Sequence, residues 1–204
     1  MNGLQCMKII VKTREKENRF LKINYIMNNI EVEIRSFISV EQYESLLDFF
    51  KQNANLIKED YQETFYFDSE QDLRIQRNNL YAKIWMKKGK MHDNHREELE
   101  IKFDKEEFEK LETLFLSLGL NVQIKWFRKR FEFTWDDITV CLDFTRGYGY
   151  IIELEKMCSE ESKEQEFEKL KEKFKSLDIA ITPKEEFNKK FLEYKENWKT
   201  LTNI

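Results

Sequence analysis

The chain has 204 residues, 41% of them hydrophobic and 36% charged, with a net charge of −4. It is long enough to bury a core as one domain, and its near-balanced charge excludes a general nucleic-acid binder held by excess Lys and Arg. No apolar run approaches the ~20 residues of a membrane span, so no membrane contact and a cytoplasmic location are expected. Three cysteines (Cys6, Cys141 and Cys158) lie far apart and two histidines (His92 and His95) sit in a polar stretch. None has zinc-ligand spacing, so free thiols in a reducing compartment are expected.

Residues 1–26 mix short apolar groups with a basic stretch and carry no clear pattern; they read as an N-terminal extension, with the domain proper over 27–204. Ile30 to Ile38 alternates as a strand, and Val40 to Asn53 has helical spacing with Leu46, Leu47, Phe49 and Phe50 on its apolar side. Tyr61 to Asp68, Asp72 to Arg77 and Tyr81 to Lys88 are rich in aromatic and branched residues and read as a meander. Arg96 to Phe103 alternates again. Asp104 then opens a helix that Gly119 stops. Val122 to Trp135, Ile138 to Phe144 and Tyr150 to Met157 read as three more strands, followed by charged amphipathic helices over Ser159 to Leu177 and Lys184 to Trp198. About eight antiparallel strands with helices suffice to close an α+β barrel around one small ligand.

Three strands carry acidic residues two apart: Glu31 and Glu33, Glu98 and Glu100, Glu153 and Glu155. Side chains two apart on a strand share a face, so each run places its charges together. With Asp143 they form an acidic set that cannot all stay ionised in an interior without cations. Hard oxygen donors of this kind suit Mg²⁺ or Mn²⁺. A basic set, Arg35, Arg74, Arg77, Lys88, Arg96, Arg128 and Arg130, suits a polyanion, because a guanidinium can donate two bonds to one phosphate. Together they are the equipment of phosphoryl or nucleotidyl transfer. The bland alternative is a set of exposed strands with cross-strand salt bridges.

Glu31-Val32-Glu33-Ile34-Arg35 resembles the E-x-E-x-K signature of the CYTH superfamily, the triphosphate tunnel metalloenzymes. Further motifs follow in the family's order: Leu73-Arg74-Ile75, the strand from Trp85 ending in Lys88-Gly89, Arg96-Glu97-Glu98-Leu99-Glu100, Arg128-Lys129-Arg130, Leu142-Asp143, and Gly147 to Glu155 as G-x-G-x-x-x-E-x-E. The resemblance covers about residues 29 to 157. Arg35 and Arg128 stand where the family has lysine; they keep the charge, but an arginine cannot act as a base.

The resemblance implies an eight-stranded antiparallel β-barrel, a triphosphate tunnel with helices packed outside. It implies metal on Glu31, Glu33, Glu98, Glu100, Asp143, Glu153 and Glu155, and a triphosphate held by Arg35, Arg74, Arg77, Lys88, Arg96, Arg128 and Arg130. Catalysis is expected to fall on Glu31, Glu33, Arg35, Lys88, Arg128 and Arg130. The expected substrate is a triphosphate-containing small molecule, ATP or tripolyphosphate. The opening motif looks closest to class IV adenylyl cyclases and thiamine triphosphatases, so conversion of ATP to cyclic AMP and pyrophosphate is the first expectation. Hydrolysis of a triphosphate is the second, and a non-catalytic binding module the third. A homodimer is expected from the cyclase resemblance alone.

Overall fold

A computed structural model describes residues 30–87 and 98–204. Eight strands follow in chain order: β1 (Ile30–Ile38), β2 (Asn55–Phe67), β3 (Asp72–Arg77), β4 (Ala82–Lys87), β5 (Glu98–Phe103), β6 (Val122–Trp135), β7 (Ile138–Thr145) and β8 (Gly149–Cys158). Among the described residues four α-helices accompany them: α1 (Val40–Asn53), α2 (Phe108–Ser117), α3 (Lys163–Ser176) and α4 (Lys184–Thr202). The strands all pair antiparallel in one sheet of order β1-β8-β7-β6-β2-β3-β4-β5. The α+β class and the eight antiparallel strands agree with the sequence expectation. Among the described residues no ladder joins β1 to β5, so the sheet runs open between these two edges.

The alternation sorts each strand into two faces. On the outer face Ile34, Phe133, Val140, Leu142, Ile152 and Leu154 form a core with Leu46 and Phe50 of α1 and Leu170 and Phe174 of α3. Phe65, Phe67 and Ile75 form a second core with Phe108, Leu111 and Phe115 of α2. Truncating a fully buried ring such as Phe50 or Phe174 to alanine costs about 3–5 kcal/mol in cores of this kind. Helix α1 starts at a reciprocal cap, with Ser39 accepting from the Gln42 amide and Gln42 accepting from the Ser39 amide.

Helix α4 differs from the others. Its Phe187, Tyr194 and Trp198 pack with Phe37, Tyr66, Trp126 and Ile151. Those sheet residues share strand parity with Arg35, Arg74, Arg128 and Glu153, so α4 covers one end of the charged face.

Some boundaries differ from the sequence reading. Strand β2 begins at Asn55, not Tyr61, because its polar first half pairs with the long β6 from Thr134 to Arg130. Asp104 opens a short 3₁₀ turn, Lys105–Glu107, before α2, and its side chain makes no capping bond. On α1 Phe49 is exposed and Tyr43 takes the buried position. Residues 1–26 lie outside the described residues.

The β7–β8 turn fastens α4 to the sheet at Gly147, whose φ is +74°. A Cβ there would lie 2.7 Å from Leu201 Cβ and 2.8 Å from its carbonyl oxygen. Gly147→Ala should therefore lower thermal stability by more than the ~1 kcal/mol of left-handed strain alone. Gly119, with φ +85° and nothing near its Cβ position, is the control that isolates that strain. Equal losses in melting temperature for the two variants would mean that the close approach of α4 adds no cost at Gly147.

Candidate functional site

The charged face is assembled by register. Arg35 lies opposite Glu153 and Glu33 opposite Glu155 across β1 and β8. Glu153 lies opposite Cys141 on β7. Arg130 is opposite Asp143, and Arg128 opposite Thr145, across β6 and β7. Asp60 and Gln62 on β2 continue the row opposite Arg130 and Arg128. Arg74, on β3, faces Trp85 of β4, which faces Glu100 of β5.

At the centre Arg130 donates to both carboxylate oxygens of Asp143, at 2.7 and 2.6 Å, and to Glu153 at 2.6 Å. Burial opposes its charge, but Asp143 and Glu153 hold it protonated well above the ordinary arginine range. Arg35 reaches the other Glu153 oxygen at 3.9 Å and lies 4.6 Å over the Phe187 ring of α4. Arg128 donates to Asp143 at 3.2 Å and to Gln62 at 2.9 and 2.5 Å. The structure thus brings Arg35, Arg128, Arg130, Asp143 and Glu153 into one bonded network.

Beside it, carboxylate oxygens of Glu31, Glu33 and Glu155 lie within 4.8 Å of one another. Burial pushes the Glu155 carboxyl up to about 8, and Glu153, Glu31 and Glu33 add to the effect. Clustered hard oxygens, one of them raised first by burial and then by the neighbouring carboxylates, are a donor set that a hard divalent cation fits. A second group, Cys141, Glu153 and Glu155, is equally close. Burial raises the Cys141 thiol far above its usual range, so it is a poor ligand for a hard cation.

The other predicted residues fall elsewhere. Arg74 donates twice to the Asp72 carboxylate and lies 4.2 Å over the Tyr66 ring. Glu100 accepts from Lys83 at 2.6 Å and approaches Lys102 at 3.4 Å; burial would raise its carboxyl, but the two lysines hold it below the usual range. It is paired there and does not join Glu31, Glu33 and Glu155. Arg77 is a correction. It sits opposite Glu63 on the other face, paired with Glu63 and Glu109 and lying 4.7 Å over Phe108. Its distance of three residues from Arg74 already puts the two on opposite faces. Lys88 and Arg96, and the side chain of Glu98, lie outside the described residues. Gln62, Asp60, Asp72 and Lys83 also belong to the charged face, although the sequence reading does not pick them out. Their signal is strand parity, which for Asp60 becomes visible only once β2 is extended back to Asn55.

The CYTH domain model matches residues 29–186. The chain belongs to the CYTH family. It thereby joins a family of triphosphate tunnel enzymes whose members are in general metal-dependent. A search of curated proteins finds no match. Solved structures share the fold. A conserved hypothetical protein of Pyrococcus furiosus is 27% identical, with TM-score 0.59 over 74% of this chain and 91% of its own. PH1012 of Pyrococcus horikoshii is 21% identical, with TM-score 0.60 over 76% and 96%. A Vibrio parahaemolyticus protein named "putative adenylate cyclase" is 16% identical, with TM-score 0.58 over 78% and 97%. Among the described residues of this CYTH protein no helix is long and apolar enough to cross a membrane.

The Glu155 environment sets a pH dependence. A carboxyl raised from 4.5 to about 8 by folding contributes full stability below pH 4.5 and loses it as pH rises to about 8. Melting temperatures in chelator across that window should therefore fall more steeply for wild type than for Glu155→Gln. Parallel curves would mean that Glu155 ionises normally in the metal-free protein.

Proposed function

We propose that this CYTH protein is a divalent-metal-dependent enzyme acting on a triphosphate, and that its reaction is that of a class IV-like adenylyl cyclase, ATP to cyclic AMP and pyrophosphate. The observation that carries the reading is a single charged face. Its carboxylate cluster (Glu31, Glu33, Glu155) adjoins a cluster of arginines (Arg35, Arg128, Arg130) across neighbouring strands. The structural neighbours named for an adenylate cyclase, from Vibrio parahaemolyticus and Bacillus halodurans, support the choice of chemistry.

Mg²⁺ or Mn²⁺ on Glu31, Glu33 and Glu155 would supply positive charge against phosphate oxygens as charge develops. Arg35, Arg128 and Arg130 hold the phosphate chain, and Asp143 and Glu153 orient the guanidiniums in advance. Arg74 extends the row of cations along β3. In the cyclase reaction the ribose 3′-oxygen bonds to the α-phosphorus, pyrophosphate leaves, and the hydroxyl proton passes to solvent or a carboxylate. No arginine of the set can take that proton.

One observation favours a triphosphatase as the second reading. The aromatic layer between α4 and the sheet is closely packed, with Tyr194 and Trp198 of α4 only 1% and 6% exposed, so those two rings are not open to stack a nucleobase. A substrate without a base, such as tripolyphosphate, needs no such surface.

Product analysis separates the readings. Purified protein with Mg²⁺ or Mn²⁺ is given ATP, tripolyphosphate and thiamine triphosphate separately. Cyclic AMP with pyrophosphate is the expected result; orthophosphate without cyclic product makes it a triphosphatase, and tight binding without turnover a sensor. On the active substrate, Glu153→Gln and Arg130→Ala should each cost about 10²–10³ in rate. Losses of only a few-fold would displace the network from the reaction.

A further inference from the structure

The two central arginines are held differently. Arg130 is clamped by two carboxylates, Asp143 and Glu153, with bonds of 2.6–2.7 Å. Arg128 is clamped chiefly by a neutral amide: its Nε and Nη2 donate to Gln62 Oε1 at 2.9 and 2.5 Å, and its bond to the Asp143 carboxylate is longer, at 3.2 Å. The Arg128 side chain is also the more exposed of the two, 24% against 14%.

Gln62 is 9% exposed and Asp60 4%. Gln62 Nε2 donates to Asp60 Oδ2 at 3.0 Å, and Asp60 Oδ1 accepts from the Asn79 backbone N–H at 3.1 Å. The amide has one orientation that satisfies both neighbours: oxygen toward the guanidinium, nitrogen toward the carboxylate. The Asn78–Leu80 turn therefore fixes Asp60, Asp60 fixes Gln62, and Gln62 fixes the Arg128 fork.

We propose that Gln62 is a positioning residue that orients Arg128 without neutralising it, leaving Arg128 less cancelled than Arg130 and available to the substrate's phosphates. A glutamate at this position would accept the same two bonds from Arg128. It would also cancel the charge and oppose the Asp60 carboxylate. The inference rests on the triphosphate reading above and adds to it a division of labour. Arg130 chiefly organises the carboxylates, and of the two β6 arginines Arg128 gives the larger share of its charge to the anion, beside the more exposed Arg35.

The test is calorimetric binding of inorganic tripolyphosphate in Mg²⁺ to wild type, Arg128→Gln, Gln62→Glu and the double variant Asp60→Asn with Gln62→Glu. In the double variant the amide introduced at position 60 can donate to the carboxylate introduced at position 62 and still accept from the Asn79 N–H. The hydrogen-bond chain is thus kept while Arg128 is neutralised. Expected is unchanged melting temperature with at least ~10-fold weaker binding, close to that of Arg128→Gln, since a charge-assisted bond carries about that much. A merely structural role predicts the reverse: weaker binding and lower stability in Gln62→Glu, both restored in the double variant. Binding of the double variant within twofold of wild type overturns the proposal while Arg128→Gln still tests the triphosphate reading. Failure of wild type itself to bind tripolyphosphate overturns both. Should the double variant not fold, Gln62→Leu, which removes the clamp and keeps the Arg128 charge, replaces it: a larger binding loss in Gln62→Glu than in Gln62→Leu supports the proposal, and equal losses overturn it.

Discussion

The guanidinium of Arg130 is largely withdrawn from water between Asp143 and Glu153, and the rest of the charged face is arranged around it. Each of the two carboxylates in turn touches a further arginine, Arg128 or Arg35. Removing one partner from such a set leaves an uncompensated buried charge, which is why networks of this type are rigid. Three strands, β6, β7 and β8, are tied side chain to side chain through it, in addition to their backbone ladders. The two outer-face cores let this happen. Helices α1, α2 and α3 bury the apolar half of every strand they cover, so the other half is available for charge.

Much of this is legible in the sequence because a strand enforces a period of two. The pairs Glu31/Glu33 and Glu153/Glu155 declare a face on their own, and Arg128/Arg130 declare the same for β6. The order of the motifs then points to the family. What parity cannot supply is the neighbour across the strand. Nothing in the sequence says that Arg35 lies opposite Glu153 or that Asp143 is taken by arginines, since register depends on turns and on the packed outer face. The motifs group Asp143 with the metal ligands; in the structure two guanidiniums occupy its oxygens.

Helix α4 is legible as an amphipathic helix but not as a cover over the charged face. Amphipathic spacing shows that one side is buried and does not identify the surface that buries it. The aromatic residues that receive it, Phe37, Tyr66 and Trp126, look in sequence like ordinary core positions. Gln62 and Asp60 escape a sequence reading for a different reason. A neutral amide and a single carboxylate in a polar strand carry no motif, and only their bonds to Arg128 and to the Asn79 backbone reveal what they do.

The ladder between β1 and β8, which joins Ile30 to Cys158 at one end and Ile38 to Tyr150 at the other, bears on biosynthesis. Among the described residues β1 has no sheet partner other than β8, so during translation it must wait while more than half of the chain emerges. Through that interval its apolar side, Ile34 and Ile38, is without the β8 residues it finally adjoins, Ile152 and Leu154. Contacts of such long sequence separation slow folding and leave edges open to wrong pairing.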